Sequence, residues 1–189
     1  VALLEIAQAF EIAKKEGHGP KRSILFLHVT GEEHGLHGSR FYSENPLFPI
    51  ANTITDINID MIGRRDEAHA VSNNYVYVIG ANRLSTDLDN ICTIANAKYT
   101  HLDLDYKYND PKDPNRFYER SDHYNFAKNG IPSVFLFNGV HADYHKATDD
   151  WDKINYVGEK DVVRMVQQII KNTDSYGKLD FLKTREIGR

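Results

Sequence analysis

The chain has little of what would place it in a specialised class of protein. A single cysteine, Cys92, stands among its 189 residues, which excludes an internal disulfide. It contains no apolar run long enough to cross a membrane. Positive charge is not in excess, since 27 acidic residues outnumber 23 Lys and Arg and the net charge is −4. We therefore expect neither nucleic acid nor a membrane as a partner.

What is present predicts one folded α/β domain over residues 1–189, since this length is sufficient to bury a core. Apolar runs alternate with segments of helical periodicity, which predicts an α/β sandwich with a largely parallel sheet. The polar tail after Gly177 is expected to fray. The predicted helices are about 2–15, 38–44, 85–97 and 159–172, and the predicted strands are 23–29, 55–63, 75–79, 101–108 and 134–137.

Two adjacent glutamates, Glu32 and Glu33, are the most informative feature of the chain. They follow the apolar run from Ser23 to Val29, which reads as a short buried strand ending at Gly31. Open α/β sheets bind ligands just past the carboxyl ends of their strands. Two adjacent carboxylates repel each other, and a shared cation or a proton relieves that repulsion. The pair therefore suggests a metal ligand beside a general base.

Two further segments place potential ligands at strand ends. Ile57, Ile59 and Met61 alternate with Asp56, Asn58 and Asp60, and Gly63 ends that strand. The segment 141–149, with sequence HADYHKATD, follows the apolar strand 134–137. Glutamate, aspartate and histidine from three strand ends would suit zinc, which accepts both oxygen and imidazole nitrogen.

Four motifs in order make a family recognisable. Residues 30–39, TGEEHGLHGS, resemble the GEE-x-GL-x-GS signature of two-zinc aminopeptidases of the Streptomyces and Vibrio type. Residues 58–63, NIDMIG, resemble their N-x-DM-x-G strand, and residues 120–132 resemble their SDH…F…GIP segment. Asp143-Tyr144-His145 with Thr148-Asp149 is similar to their last ligand motif. The resemblance implies a three-layer sandwich of the phosphorylase/hydrolase-like kind, with a mostly parallel mixed sheet and helices on both faces.

The resemblance also implies a role for each matching residue. Glu32 would be the general base, and Tyr144 would donate a hydrogen bond to the developing oxyanion. Glu33 and His145 would bind one zinc, and Asp60 would bind the other. The neighbours Ser121, Asp122 and His123 would support these ligands rather than bind metal. A peptide is the implied substrate, and a periplasmic or secreted location is the implied compartment.

One departure from the family pattern limits what this chain is expected to do alone. The family has an H-x-D histidine and a bridging aspartate upstream, and neither is in this sequence. The chain resembles the family from just after that motif, so we expect the domain to be incomplete at its N-terminus. Three of five ligands then remain, and the chain alone is expected to bind zinc partly or not at all and to be inactive. An uncovered sheet edge would also invite edge-to-edge self-association.

Other interpretations stay open at this point. Adjacent glutamates after a strand are more often a solvated loop when no other motif accompanies them. The aromatic residues Tyr106, Tyr108, Phe117 and Tyr118 suit a substrate pocket or simple packing. The pair Arg64-Arg65 reads as a solvated turn. Two other functions fit the same scaffold, namely a one-zinc glutaminyl cyclase and a non-catalytic binding domain.

Overall fold

The computed structural model describes residues 1–175 and Leu179, so the predicted fraying of the tail after Gly177 lies outside the described residues. This part of the chain contains six α-helices and four strands, with short 3-10 turns between them. The helices are α1 (Ala2–Lys15), α2 (His37–Glu44), α3 (Ala81–Leu84), α4 (Thr86–Tyr99), α5 (His123–Ala127) and α6 (Tyr156–Thr173), and the strands are β1 (Asp56–Ile59), β2 (Tyr75–Ile79), β3 (Asp103–Asp105) and β4 (Ser133–Phe137). No helix in this described part is both long and apolar enough to span a bilayer.

The four strands form one mixed sheet in the order β1-β4-β2-β3. The strands β1 and β4 are parallel, and so are β2 and β3. The two pairs meet where β2 runs antiparallel to β4, with Val78 opposite Leu136. The strand β1 is therefore one edge of the sheet, and Asp60 follows directly at its carboxyl end.

Alternation along the central strands builds a layer on each face of the sheet. On one face Val76, Val78, Val134 and Leu136 are fully buried against α1, α4 and α6. On the other face the odd-numbered residues of β2 and β4 pack with Phe117 and Tyr108. The rings of Tyr108 and Phe117 lie 4.7 Å apart. Phe117 packs within this core, whereas Tyr108 and Tyr118 are partly buried against it and also line a surface cavity with Arg83 and Asp110. The layers on the two faces of the sheet agree with the predicted sandwich.

The predicted strand Ser23–Val29 is wrong. The structure assigns no strand to these residues, and they alternate between exposed and half-buried positions. They line one side of a cavity of about 1080 Å³, and β1 lines the other side. An extended apolar segment becomes a strand only when a neighbouring strand satisfies its N–H and C=O groups. Here β1 lines the same cavity and pairs with β4 but not with this segment.

The remaining elements agree with the sequence to within a few residues. The strand predicted over His101–Tyr108 contracts to Asp103–Asp105, and a single 3-10 turn over Lys107–Asn109 follows it. Ser85 caps α4, because its hydroxyl accepts a hydrogen bond from the Leu88 amide at 3.3 Å. Cys92 is fully buried in the core, as expected.

Candidate functional site

Asp60 is held by a chain of hydrogen bonds at the end of β1. The Ser121 hydroxyl donates to Asp60 Oδ2 at 2.8 Å, and the Asn58 amide donates to Ser121 Oγ at 2.8 Å. Asn58 and Asp60 share one face of the strand because they are two residues apart. Met61 then takes a left-handed conformation, with φ of 55°, and turns the chain away from the sheet. The carboxylate therefore sits at a fixed strand end.

The two glutamates lie on a turn that docks onto α2. The Glu32 carbonyl accepts hydrogen bonds from the Gly35 and Leu36 amides at 3.0 Å. The Gly38 amide donates to the Thr30 carbonyl at 2.7 Å, and a Cβ at Gly38 would lie only 2.5 Å from the Thr30 nitrogen. Glycine is therefore required here for the close approach of the turn to the helix.

Buried polar contacts join α2 to α5 and to the segment that supports Asp60. The Ser39 hydroxyl, which is fully buried, donates to Asp122 Oδ1 at 2.5 Å. The Asn125 amide donates to Ser39 Oγ at 2.8 Å. His123 is buried beside them with its ring stacked at 4.9 Å on Phe135, and burial lowers its pKa to about 3. His123 is therefore a neutral core residue that packs against β4.

The loop after β4 brings His145 and Tyr144 to the glutamates. His145 Nε2 lies 2.9 Å from Glu33 Oε2, although the two residues are 112 positions apart in the sequence. The ring of Tyr144 stacks on that of His145 at 3.9 Å, and its hydroxyl lies 3.4 Å from Arg120 Nη2. His145 also has a left-handed backbone, with φ of 57°. Such a conformation is uncommon for a residue with a Cβ and must be held by its surroundings.

The site concentrates negative charge. Burial raises the pKa of Glu32 to about 7, and repulsion by Asp60, Glu33 and Asp122 adds to the effect. Burial also raises the pKa of Asp60, although the hydrogen bond from Ser121 opposes that shift. Burial likewise raises the pKa of Asp122. The repulsion that acts on Glu32 and Asp60 is relieved by protons or by a cation.

The predicted site residues are only partly brought together. Within the described residues, three potential metal ligands lie within 4.8 Å of one another in only one group, and that group is His141, Asp143 and Asp149. Glu33 and His145 form a pair, and Asp60 stands apart from it. The assignment of Asp60 and of this pair to two different metals stays a prediction.

The predicted solvated turn at Arg64-Arg65 is half wrong. Arg65 is exposed, but the Arg64 side chain is 19% exposed and forms ion pairs with Asp143 and Asp149. Hydrogen bonds from Thr148, Arg64 and Lys153 hold the pKa of Asp143 well below its usual range. Sequence reasoning missed this contact because the partners are about 80 residues apart, and only the fold brings them together.

Sequence reasoning also missed the buried Ser39, the half-buried Asn58 and Arg120. Asn58 lies between Ile57 and Ile59, and this polar residue within an apolar strand was the available signal, whereas the neighbours of Ser39 give none. Arg120 precedes Ser121, and nothing in the local pattern indicates that it reaches Tyr144. Hydrogen bonds between residues far apart in the sequence produce no periodic pattern from which they could be predicted.

Comparison with known proteins identifies the family of this sequence. The sequence model of peptidase family M28 matches residues 1–170. The chain belongs to peptidase family M28. No curated protein sequence matches it.

Solved structures share the fold of this M28 chain at low sequence identity. LapB from Legionella pneumophila superposes with a TM-score of 0.70 at 17% identity, over 89% of this chain and 43% of that one. An aminopeptidase from Aneurinibacillus sp. strain AM-1 has a TM-score of 0.60 at 21% identity, over 83% and 35%. BSAP, a zinc aminopeptidase from Bacillus subtilis, has a TM-score of 0.59 at 20% identity, over 83% and 36%. The chain thus spans less than half the length of these three proteins.

Proposed function

We propose that the protein containing this chain is a zinc-dependent aminopeptidase that removes N-terminal residues from peptides. The observation that carries the proposal is the 2.9 Å distance between Glu33 Oε2 and His145 Nε2. Glu32, the proposed general base, directly precedes Glu33 in the sequence. Membership of peptidase family M28 supports it, and so does the shared fold with BSAP, a zinc aminopeptidase, and with the Aneurinibacillus aminopeptidase. A peptide is then the substrate.

The donor atoms at this site suit zinc. Glu33 offers a carboxylate oxygen and His145 an imidazole nitrogen, and zinc is commonly bound by such a pair. We assign one zinc to Glu33 and His145 and a second to Asp60. Burial is the main cause that raises the pKa of Glu32 and of Asp60, repulsion by neighbouring carboxylates adds to it, and a bound cation would lower both pKa values. Bound zinc would polarise the peptide carbonyl and lower the pKa of water.

The chain's own side chains supply the proton transfers and the positioning. Glu32, with a pKa of about 7, is suited to take a proton from water and return it to the leaving amine. The Tyr144 hydroxyl can donate a hydrogen bond to the oxyanion that develops on the carbonyl oxygen. Arg120, 3.4 Å from that hydroxyl, adds positive charge on the same side. Ser121 keeps the Asp60 carboxylate oriented.

Two isosteric substitutions in the complete protein test these roles. Glu32→Gln should leave the zinc content nearly unchanged and lower turnover by the ~10²–10⁴-fold typical of losing a general base. Glu33→Gln should lose zinc from one site together with activity. Peptide hydrolysis and zinc content by mass spectrometry are the measurements. Glu44→Gln, at an exposed position at the end of α2, is the matched control and should change neither.

The possible outcomes separate the competing functions. Loss of zinc by Glu32→Gln with retention by Glu33→Gln would show that the two roles are exchanged. If the unsubstituted protein cyclises N-terminal glutamine and hydrolyses no peptide, it is a glutaminyl cyclase. If it binds peptides without converting them, it is a binding domain and the aminopeptidase proposal fails.

The same assignment predicts what the 189-residue chain binds by itself. Its described residues bring only Glu33 and His145 together at the proposed site, whereas zinc sites in proteins use three or four protein ligands. Calorimetry should therefore detect weak zinc binding or none. Two tight zinc sites in this chain would contradict the assignment.

A further inference from the structure

Arg64 forms a bridge between two aspartates that stand at the two ends of one loop. Its Nη2 lies 2.6 Å from Asp143 Oδ2, and its Nη1 lies 2.5 Å from Asp149 Oδ1. A planar guanidinium presents separate N–H donors in fixed directions, so one side chain can hold two carboxylates at once. Arg64 itself lies four residues after Asp60, on the chain that leaves β1. The bridge therefore ties the Asp60 segment to the loop 143–149.

The loop 143–149 carries Tyr144 and His145, and further contacts close it. Asp143 Oδ1 accepts hydrogen bonds from the Thr148 hydroxyl at 2.7 Å and from Lys153 Nζ at 3.0 Å. Lys153 also donates to the Thr148 carbonyl. Asp143 thus contacts three side chains, those of Arg64, Thr148 and Lys153. His145, with its left-handed backbone, lies between the two aspartates that Arg64 contacts. Without that hold, the uncommon conformation at His145 has less to maintain it.

The same aspartates belong to the group with His141 in which three potential metal ligands come together. Two cations already face this group, because Arg64 contacts both aspartates and Lys153 contacts Asp143. A metal would have to displace charge-assisted hydrogen bonds of 2.5 to 3.0 Å. The geometry therefore favours a structural clamp over a metal site.

We infer that Arg64 is a positioning residue: its guanidinium holds both ends of the loop 143–149 so that His145 and Tyr144 face Glu33. The inference rests on the proposed roles of His145 and Tyr144. Loss of the bridge should loosen the loop without removing any group that touches zinc or substrate. Partners that orient a metal ligand typically change metal affinity or activity by ~10–100-fold when they are removed.

The first experiment measures catalysis in the complete protein. Arg64→Gln should lower kcat by ~10–100-fold and reduce the zinc retained after dialysis, with a smaller change in KM. Arg64→Lys keeps the charge but replaces the planar guanidinium with a single ammonium group, which cannot hold both aspartates in the same way. Its kcat should therefore lie between those of Arg64→Gln and the unsubstituted protein. Millimolar guanidinium should restore part of the activity of an Arg64→Ala variant. Arg65→Gln, at the exposed neighbouring position, is the matched control and should behave like the unsubstituted protein.

The second experiment does not depend on the enzyme being a peptidase. Trypsin cleavage after Lys146, which lies in the middle of the clamped loop, is followed by mass spectrometry in the 189-residue chain. Arg64→Gln should speed this cleavage at least tenfold while Arg65→Gln leaves it unchanged. Asp149→Asn removes one arm of the bridge from the other side and should also speed it. This second variant keeps the test available if Arg64→Gln does not fold.

Each outcome has a definite meaning. Equal cleavage rates at Lys146 in Arg64→Gln and Arg65→Gln would overturn the clamp. Faster cleavage with an unchanged kcat in the complete protein would overturn its role in positioning. If the complete protein hydrolyses no peptide at all, the proposed function fails, and the cleavage rates still decide whether Arg64 holds the loop.

Discussion

The acidic residues of the site reach it on two very different supports. Asp60 follows β1, which pairs with β4 over four residues, and its carboxylate accepts a hydrogen bond from Ser121. Glu32 and Glu33 follow the segment 23–29, which pairs with no strand in the described structure and is partly exposed along its length. The unpaired segment is the more apolar of the two, because β1 alternates Ile57 and Ile59 with Asp56 and Asn58. The difference shows that backbone pairing, rather than hydrophobicity, makes one side of this site rigid.

The same contrast exists between individual leucines. Leu136 on β4 is fully buried between β1 and β2, whereas Leu25 in the segment 23–29 is 46% exposed. Each lies in a run of apolar residues that predicts a strand. A strand in the middle of a sheet is buried on both faces by helices and on both edges by neighbours. The segment 23–29 has a cavity where such a neighbour would be.

Hydrogen exchange gives the largest expected difference between the two regions. Amides of Val76 to Val78 take part in the central sheet and should exchange only through global unfolding. Amides of residues 24–28 should exchange at least ~10³-fold faster in the 189-residue chain, because no strand pairing protects them. Exchange measured by NMR or mass spectrometry checks this. Equal protection in both regions would mean that the segment is paired in solution.

A matched pair of truncations should sharpen the same contrast in stability. Leu136→Ala removes a fully buried side chain and should lower the free energy of unfolding by about 2–5 kcal/mol. Leu25→Ala removes a side chain that is already about half exposed to solvent, and should lower the free energy of unfolding by less than about 1 kcal/mol. Urea unfolding of the two variants measures both values. Similar losses would show that Leu25 is buried in solution.

A smaller change in stability is expected when the hydrogen bond from Ser121 to Asp60 at the end of β1 is removed. Ser121→Ala removes the donor to Asp60 Oδ2 and leaves Asn58 without its acceptor. Loss of such a bond at a partly buried site should cost about 1–3 kcal/mol in the 189-residue chain. Thermal unfolding checks it, with Ser43→Ala at an outward-facing position of α2 as the control, since its hydroxyl bonds only within its own helix. No difference between the two variants would mean that Asp60 is not held in this way.

The smallest expected effect is a pH dependence of the free energy of unfolding that is caused by Glu32. The pKa of Glu32 is raised to about 7 in the folded state, so the folded chain holds its proton more tightly than the unfolded chain. Stability therefore falls as the pH rises from about 4.5 to 7, and Glu32→Gln removes this contribution. In the presence of a chelator, the variant should gain roughly a few degrees in Tm over the unsubstituted chain across that range. A constant difference between the two would show that the pKa of Glu32 is not raised.

Much of the fold was predictable because local patterns carry it. The runs at 75–79 and 134–137, the cap at Ser85 and the helix starting at Ala2 all follow from periodicity and residue preference. The segment 23–29 has the same pattern as the central strands, yet it forms no strand. Pairing depends on what lies beside a segment in space, and periodicity holds no information about that.

The sequence by itself determined the family, the α/β alternation and the residue types available for chemistry, since four ordered motifs and two periodicities are properties of the linear chain. Only the tertiary structure decided that Glu33 meets His145, that Ser39 and Asn125 brace Asp122, and that Arg64 bridges two aspartates rather than facing solvent. These contacts join residues about 80 to 110 positions apart. Their geometry depends on how helices and loops pack around the sheet, and packing is cooperative over the whole chain rather than written at any one position.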